Sequence, residues 1–167
     1  MEGAEVKVWR RAERERLIAL RQGLPAAQRH HWSAQIDAAL RGILAKRPGI
    51  LGVYWPFRAE FDPRPLVDWA VAAGRTVALP VVIDKKGPLE YRAWRPGDKL
   101  VDGVWNIPIP EKRDIVTPAL VLAPLVGFEV QRIATIYPQS FDIAMDLIVT
   151  ETGIRERSAG TARSIAG

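Results

Sequence analysis

No cysteine occurs among the 167 residues. Disulfides, zinc-thiolate sites and thiol nucleophiles are therefore excluded, which suits a reducing cytoplasm, the compartment expected here. Histidine is nearly absent too. Only His30 and His31 occur, and neighbours on a helix cannot face one ligand together. Neither metal binding nor histidine base catalysis is expected from them. No apolar run approaches the ~18 residues of a membrane span. The opening "MEGAEVKVWRRAERER" is charged and lacks the apolar centre of a signal peptide, so a soluble protein without a membrane partner is expected. Also missing are GxGxxG, Walker A, HExxH and GxSxG sequences, internal repeats and low-complexity tracts. Motifs alone imply no nucleotide dependence.

What is present is ordinary for a globular chain: 48% hydrophobic and 26% charged residues, enough to build a packed core. Twenty-four Lys and Arg against nineteen Asp and Glu leave +5. That balance favours polyanions, either nucleic acid or a phosphate-rich small molecule. Lys7, Arg10, Arg11, Arg14 and Arg16 form one cluster, and Arg155, Arg157 and Arg163 another. Solvated helix faces and a frayed tail account for such clusters equally well.

Helix formers dominate residues 4–22, and "GLP" at 23–25 punctuates them. Glycine suits the end of one helix and proline the first turn of the next. In the second helix, 26–45, Trp32, Ile36, Leu40 and Ile43 recur at spacings of three and four, forming an apolar stripe. Residues 50–56, "ILGVYWP", predict a short buried strand. "DPRPLVDWAVAAG" predicts a helix capped by Asp62 and closed by Gly74. Buried strands follow at 76–82, 118–124 and 146–151, with a more exposed one at 88–94. Such alternation predicts an α/β domain, three-layered, around a mostly parallel sheet. The expected organisation is one domain over 1–153, beginning with the helical pair 4–45, and a flexible basic tail over 154–167.

Three constellations are candidate sites. Glu60 follows the strand end at Pro56, between Trp55, Phe57 and Phe61. Ligands of open α/β sheets bind beyond the carboxyl ends of strands, and aromatic walls with one acid suit a heterocycle carrying N–H donors. A solvated glutamate beside a helix cap is the plain alternative. Arg10 and Arg14, four apart, share a helical face and could clamp phosphate oxygens, or could pair with Glu13 and Glu15. Trp105, in the turn-rich stretch 94–110, could stack on a ring or pack internally.

Taken in order, "RRAERERLIALRQGLPAAQRHHWSAQI", "VYWPFRAEFDPRPLV", "GRTVALPVV", "YRAWRPGDKLVDGVWNIPIP", "DIVTPALVLAPLVGFE" and "QRIATIYPQSFDIAMDLIVTE" resemble the 5-formyltetrahydrofolate cyclo-ligase (5,10-methenyltetrahydrofolate synthetase) family. The resemblance spans nearly the whole chain. It implies an ATP- and Mg2+-dependent enzyme that cyclises 5-formyltetrahydrofolate to 5,10-methenyltetrahydrofolate, releasing ADP and phosphate, with small-molecule partners; a monomer is expected. It further implies that Glu60, Trp55 and Trp105 contact folate and that Arg10, Arg11 and Arg14 contact ATP, although the family more often has lysine at the first of these. The metal ligands stay unassigned among these residues. The family's glycine-rich phosphate loop has no counterpart here: between Glu129 and Val130 the flanking segments join directly. A folate-binding relative without turnover, and a basic RNA-binding or regulatory protein, remain the other classes to weigh.

Overall fold

The computed structural model describes residues 3–84, 87–123, 127–140, 142–158 and 161–165. The chain forms two compact units, one from residues 1–39, 58–60 and 126–167 and the other from 40–57 and 61–125. Helix α1 (Gly3–Gln22) belongs to the first and helix α2 (Ala26–Ala45) starts there. Both lie where their periodicity and the Gly23–Pro25 break put them.

The second unit holds the central sheet. Strands β1 (Leu51–Gly52), β2 (Val77–Val82), β3 (Leu89–Trp94) and β6 (Leu120–Val121) stand in the order β3-β2-β1-β6. β1 is parallel to both β2 and β6, and only β3 runs against its neighbour. The α/β class and the mixed, mostly parallel sheet are as expected. Between β1 and β2 the chain crosses over through α3 (Arg64–Ala72), as a parallel pairing requires. The Asp62 carboxylate accepts the Arg64 backbone N–H at 3.0 Å. Gly74 at φ +77° closes the helix in the left-handed conformation that glycine adopts without a steric penalty. Leu66, Val67 and Ala70 on α3 are buried, as are Leu51, Val53, Val77, Ala78, Leu79 and Val81 from the strands. Gly52 sits in the middle of the sheet because a Cβ there would meet the Tyr91 ring at 2.8 Å.

Two features of this unit lay outside the sequence reading. The turn-rich stretch after Trp94 folds as an antiparallel hairpin of β4 (Leu100–Asp102) and β5 (Pro108–Pro110). Its prolines are compatible with a strand at a sheet edge. The apolar run 118–124, expected as a buried strand, contributes only the two residues of β6, and Val121 is 54% exposed. β6 ends the sheet, so one side of it lacks a neighbour among the described residues. Residues 124–126 of that run lie outside the described residues.

In the first unit the direct junction between the segments flanking Glu129 and Val130 is a short 3-10 turn at Glu129–Gln131. Phe128, just before it, is buried against Trp32, with centroids 5.5 Å apart. Glu129 accepts from Arg155 at 2.8 Å, Thr150 at 3.1 Å and Thr152 at 3.2 Å. Burial would raise its pKa, but the hydrogen bonds from Arg155, Thr150 and Arg132 outweigh that and hold the carboxyl below its ordinary value. No α-helix lies between β6 and β7 (Leu147–Thr150) among the described residues, and β7 pairs with β8 (Gly153–Ser158). β8 pairs in turn with β9 (Thr161–Ile165), making an antiparallel meander. Backbone pairing thus runs through much of 154–167, where the composition suggests a loose tail.

Candidate functional site

Helix α1 gives the first unit its basic face. Gly3, Val6, Lys7, Arg10, Arg11, Arg14, Glu15 and Ile18 recur at spacings of three and four. With Arg58 and Gln139 they line an open depression of about 820 Å³. The structure therefore brings Arg10, Arg11 and Arg14 to one cavity, adding Lys7 and Arg58. Its charged lining is cationic apart from Glu15, which suits an anion with several charges.

The three arginines are not equivalent there. Arg11 is 84% exposed and reaches Glu15 at 3.3 Å, a surface contact of little energetic consequence. Arg14 is exposed and makes no ion pair among the described residues. Arg10 commits four of its five N–H donors. It donates to the carbonyls of Ile136 at 2.8 Å and Tyr137 at 2.9 Å, and grips Asp142 through two contacts of 2.5 and 3.1 Å. Those hydrogen bonds, with one from the Gln139 backbone N–H, pull the Asp142 carboxyl down to about 2.

Glu60 also lies in the first unit. The turn before it is strained: Arg58 has φ 49° and Ala59 φ 59°, the left-handed region that non-glycine residues seldom occupy. Strain of this kind persists only where surrounding contacts impose it. Arg21 from the last turn of α1 supplies such contacts. It is 8% exposed, donates Nε–H to the Arg58 carbonyl at 3.0 Å and holds the Glu60 carboxylate at 3.6 Å. A charged group buried so deeply needs a partner, and Glu60 supplies one.

The two tryptophans belong to the second unit. Trp55 follows β1 at its carboxyl end and meets Trp94 edge-on, at 6.0 Å and 76°. Behind it the Tyr54 hydroxyl donates to the Phe61 carbonyl at 2.8 Å, both residues being buried. Trp105 is 68% exposed at φ 59°, followed by Asn106 at φ 57°. It packs into no core; a short 3-10 turn presents it outward.

Arg21, Arg58, Gln139 and Asp142 went unidentified in the sequence, and Lys7 stood out only as a member of the basic cluster. Its position four residues before Arg11 puts it on the same face. No local pattern reveals Asp142, which lies 132 positions from Arg10. Among the described residues no three His, Asp or Glu side chains gather as a metal site, and no helix is long and apolar enough to cross a membrane.

No family model and no curated protein matches this sequence. Solved structures do. The NMR structure of the Aquifex aeolicus 5,10-methenyltetrahydrofolate synthetase superimposes with a TM-score of 0.72 at 18% identity, covering 95% of this chain and 96% of that one. The 5,10-methenyltetrahydrofolate synthetase from Mycoplasma pneumoniae gives 0.60 at 14% identity, covering 85% and 98%. At such identities the likeness is one of fold. The resemblance read from the ordered segments holds at that level: this chain has the fold of the 5,10-methenyltetrahydrofolate synthetases.

Proposed function

We propose that the protein binds 5-formyltetrahydrofolate and ATP and cyclises the folate to 5,10-methenyltetrahydrofolate, releasing ADP and phosphate. The observation that carries this reading is the cation-lined cavity on α1, found in a chain with the synthetase fold. A polyphosphate is the ligand whose charge matches that lining.

In the proposed reaction the formyl oxygen attacks the γ-phosphorus and the bond to the ADP oxygen breaks. N10 then adds to the activated carbon, its proton is lost, and phosphate departs with the former formyl oxygen. The chain has to bring oxygen and phosphorus into line and to balance charge, which is chiefly positioning and electrostatics. No nucleophilic side chain is called for. Glu60 would accept hydrogen bonds from the folate, Trp55 and Trp105 would offer it aromatic faces, and the α1 cations would take the phosphates. The cavity gathers no carboxylate set for Mg2+; the ion would arrive on the phosphates, and no residue of this chain is assigned to it.

The direct junction at 127–131 favours a second reading, in which folate binds without turnover because no glycine-rich loop encloses the phosphates. Titrating the protein with 5-formyltetrahydrofolate, with and without ATP, separates these classes. Both ligands should bind, and Glu60→Gln should weaken the folate alone. Nucleic-acid affinity falling steeply with salt, without folate binding, would overturn the proposal in favour of an RNA-binding role.

A further inference from the structure

A second cavity, of about 330 Å³, lies wholly within the second unit, where α3 ends, β2 begins and β3 finishes beside it. No step of the proposed reaction uses it. Two buried donors belong to residues of its lining. Trp94 closes β3 opposite Val77 and is 9% exposed. Its Nε1–H meets no acceptor among the described residues. Arg75 follows the Gly74 turn, and its Nη2 donates to the carbonyls of Leu44, at 2.9 Å, and Arg47 at the end of α2. Its Nη1 is buried without an acceptor among the described residues. A buried indole N–H ordinarily finds a hydrogen-bond partner, and each buried donor left over in a native fold calls for an explanation. The cavity offers one, being polar and far roomier than the roughly 30 Å³ that one water takes.

The remaining charges are loosely paired. Arg95 stands 3.7 Å from Asp98, and Lys112 stands 3.7 Å from Asp114. All four side chains are exposed, Lys112 to 85%. Surface pairs of this kind contribute little to stability, so they part at small cost to admit a ligand. Around the cavity three cations, Arg75, Arg95 and Lys112, therefore share the lining with two carboxylates. Phosphate would be repelled by the carboxylates and a simple amine by the cations. A zwitterion satisfies both sets. Val71 and Val77 add apolar surface to the same lining.

We infer that this cavity binds a small α-amino acid. Its carboxylate accepts from Trp94 Nε1, Arg75 Nη1 and Lys112, its ammonium donates to Asp98 and Asp114, and an aliphatic side chain lies against Val71 and Val77. The site is independent of the folate and nucleotide readings.

The test follows the indole N–H signals in 1H–15N spectra of the whole chain. There are six tryptophans, and Trp94→Phe identifies one signal by its loss. L-Valine should shift that signal saturably, with a Kd in the millimolar range or tighter. Isovalerate, which lacks the ammonium, and isobutylamine, which lacks the carboxylate, should each bind about tenfold more weakly or worse. Lys112→Ala should weaken valine about threefold or more without weakening isobutylamine. Asp98→Asn with Asp114→Asn should weaken valine without weakening isovalerate. These three substitutions are on exposed side chains, and calorimetric titration reads them without an assigned signal, so the result stands even if Trp94→Phe does not fold. No saturable binding of valine up to about 20 mM would overturn the site. Isovalerate or inorganic phosphate binding as tightly as valine would overturn the amino-acid assignment in favour of a plain anion site.

Discussion

Replacing Arg21 by methionine keeps the length of the side chain and deletes its charge and donors. Two consequences follow. The Arg58 carbonyl loses its 3.0 Å donor, and an acceptor left unsatisfied in a part-buried position costs about 1–3 kcal/mol. The Glu60 carboxylate, 19% exposed, loses its cation. Breaking a fully buried pair costs about 3–5 kcal/mol. This pair is longer than a hydrogen bond, at 3.6 Å, and water reaches Glu60, so roughly 1 kcal/mol is the appropriate share. The sum is about 2–4 kcal/mol, or a fall in Tm of about 5–15 °C for a chain of this size. Differential scanning calorimetry on Arg21→Met gives the number. Folate affinity, measured well below the new Tm, should fall as well, because the strained Arg58–Ala59 turn that orients Glu60 has lost its clamp. Arg21→Lys should recover part of the stability but little of the affinity, since ammonium cannot serve carbonyl and carboxylate with the same fork. An Arg21→Met protein within 0.5 kcal/mol of wild type, with unchanged folate affinity, would refute this reasoning about the pair.

Glu60→Gln should weaken 5-formyltetrahydrofolate binding roughly 10- to 150-fold, as losing a charged hydrogen bond of about 1.5–3 kcal/mol requires, and, because Arg21 loses a carboxylate partner, should lower Tm by only a few degrees, about 1 kcal/mol; fluorescence titration well below Tm checks the binding. Asp142 has a folded pKa of about 2, below the unfolded value near 3.9. Its contribution is therefore fully present above pH about 4 and is lost as the pH falls through about 2. The Tm difference between wild type and Asp142→Asn should accordingly shrink over that window, and a constant difference would contradict a stabilising Arg10–Asp142 pair. Gly52→Ala should destabilise by about 1–3 kcal/mol in denaturant titrations, because the new methyl would meet the Tyr91 ring at 2.8 Å. Trp105→Ala should lower folate affinity while moving Tm by less than about 2 °C, since the side chain is 68% exposed.

The parts of the fold that were legible rest on local rules. α2 runs from Ala26 to Ala45 because a glycine-proline break and an apolar stripe define it without distant help. α3 follows its prolines, Asp62 and Gly74 in the same way. The meander β7-β8-β9 was not legible, since the stretch "IRERSAGTARSIAG" alternates weakly and its strands form by pairing with each other. β6 was read as buried because an apolar run does not reveal whether a strand has one neighbour or two. Among site residues, Arg10 and Arg14 emerged from helical spacing and Arg11 from the family resemblance, and the cavity contains all three. Their division of labour did not emerge. Asp142 meets Arg10 only through the tertiary fold, and Arg21 looks like one more surface arginine of a basic helix until burial distinguishes it.

The most direct measurement is turnover of 5-formyltetrahydrofolate by the purified chain with ATP and Mg2+, following the absorbance of the methenyl product and the release of ADP together. The account predicts that product appears only when ATP is present, with one ADP formed per folate cyclised, and that Glu60→Gln suppresses both signals in parallel. No product, combined with no measurable binding of 5-formyltetrahydrofolate to the folded protein, would contradict it.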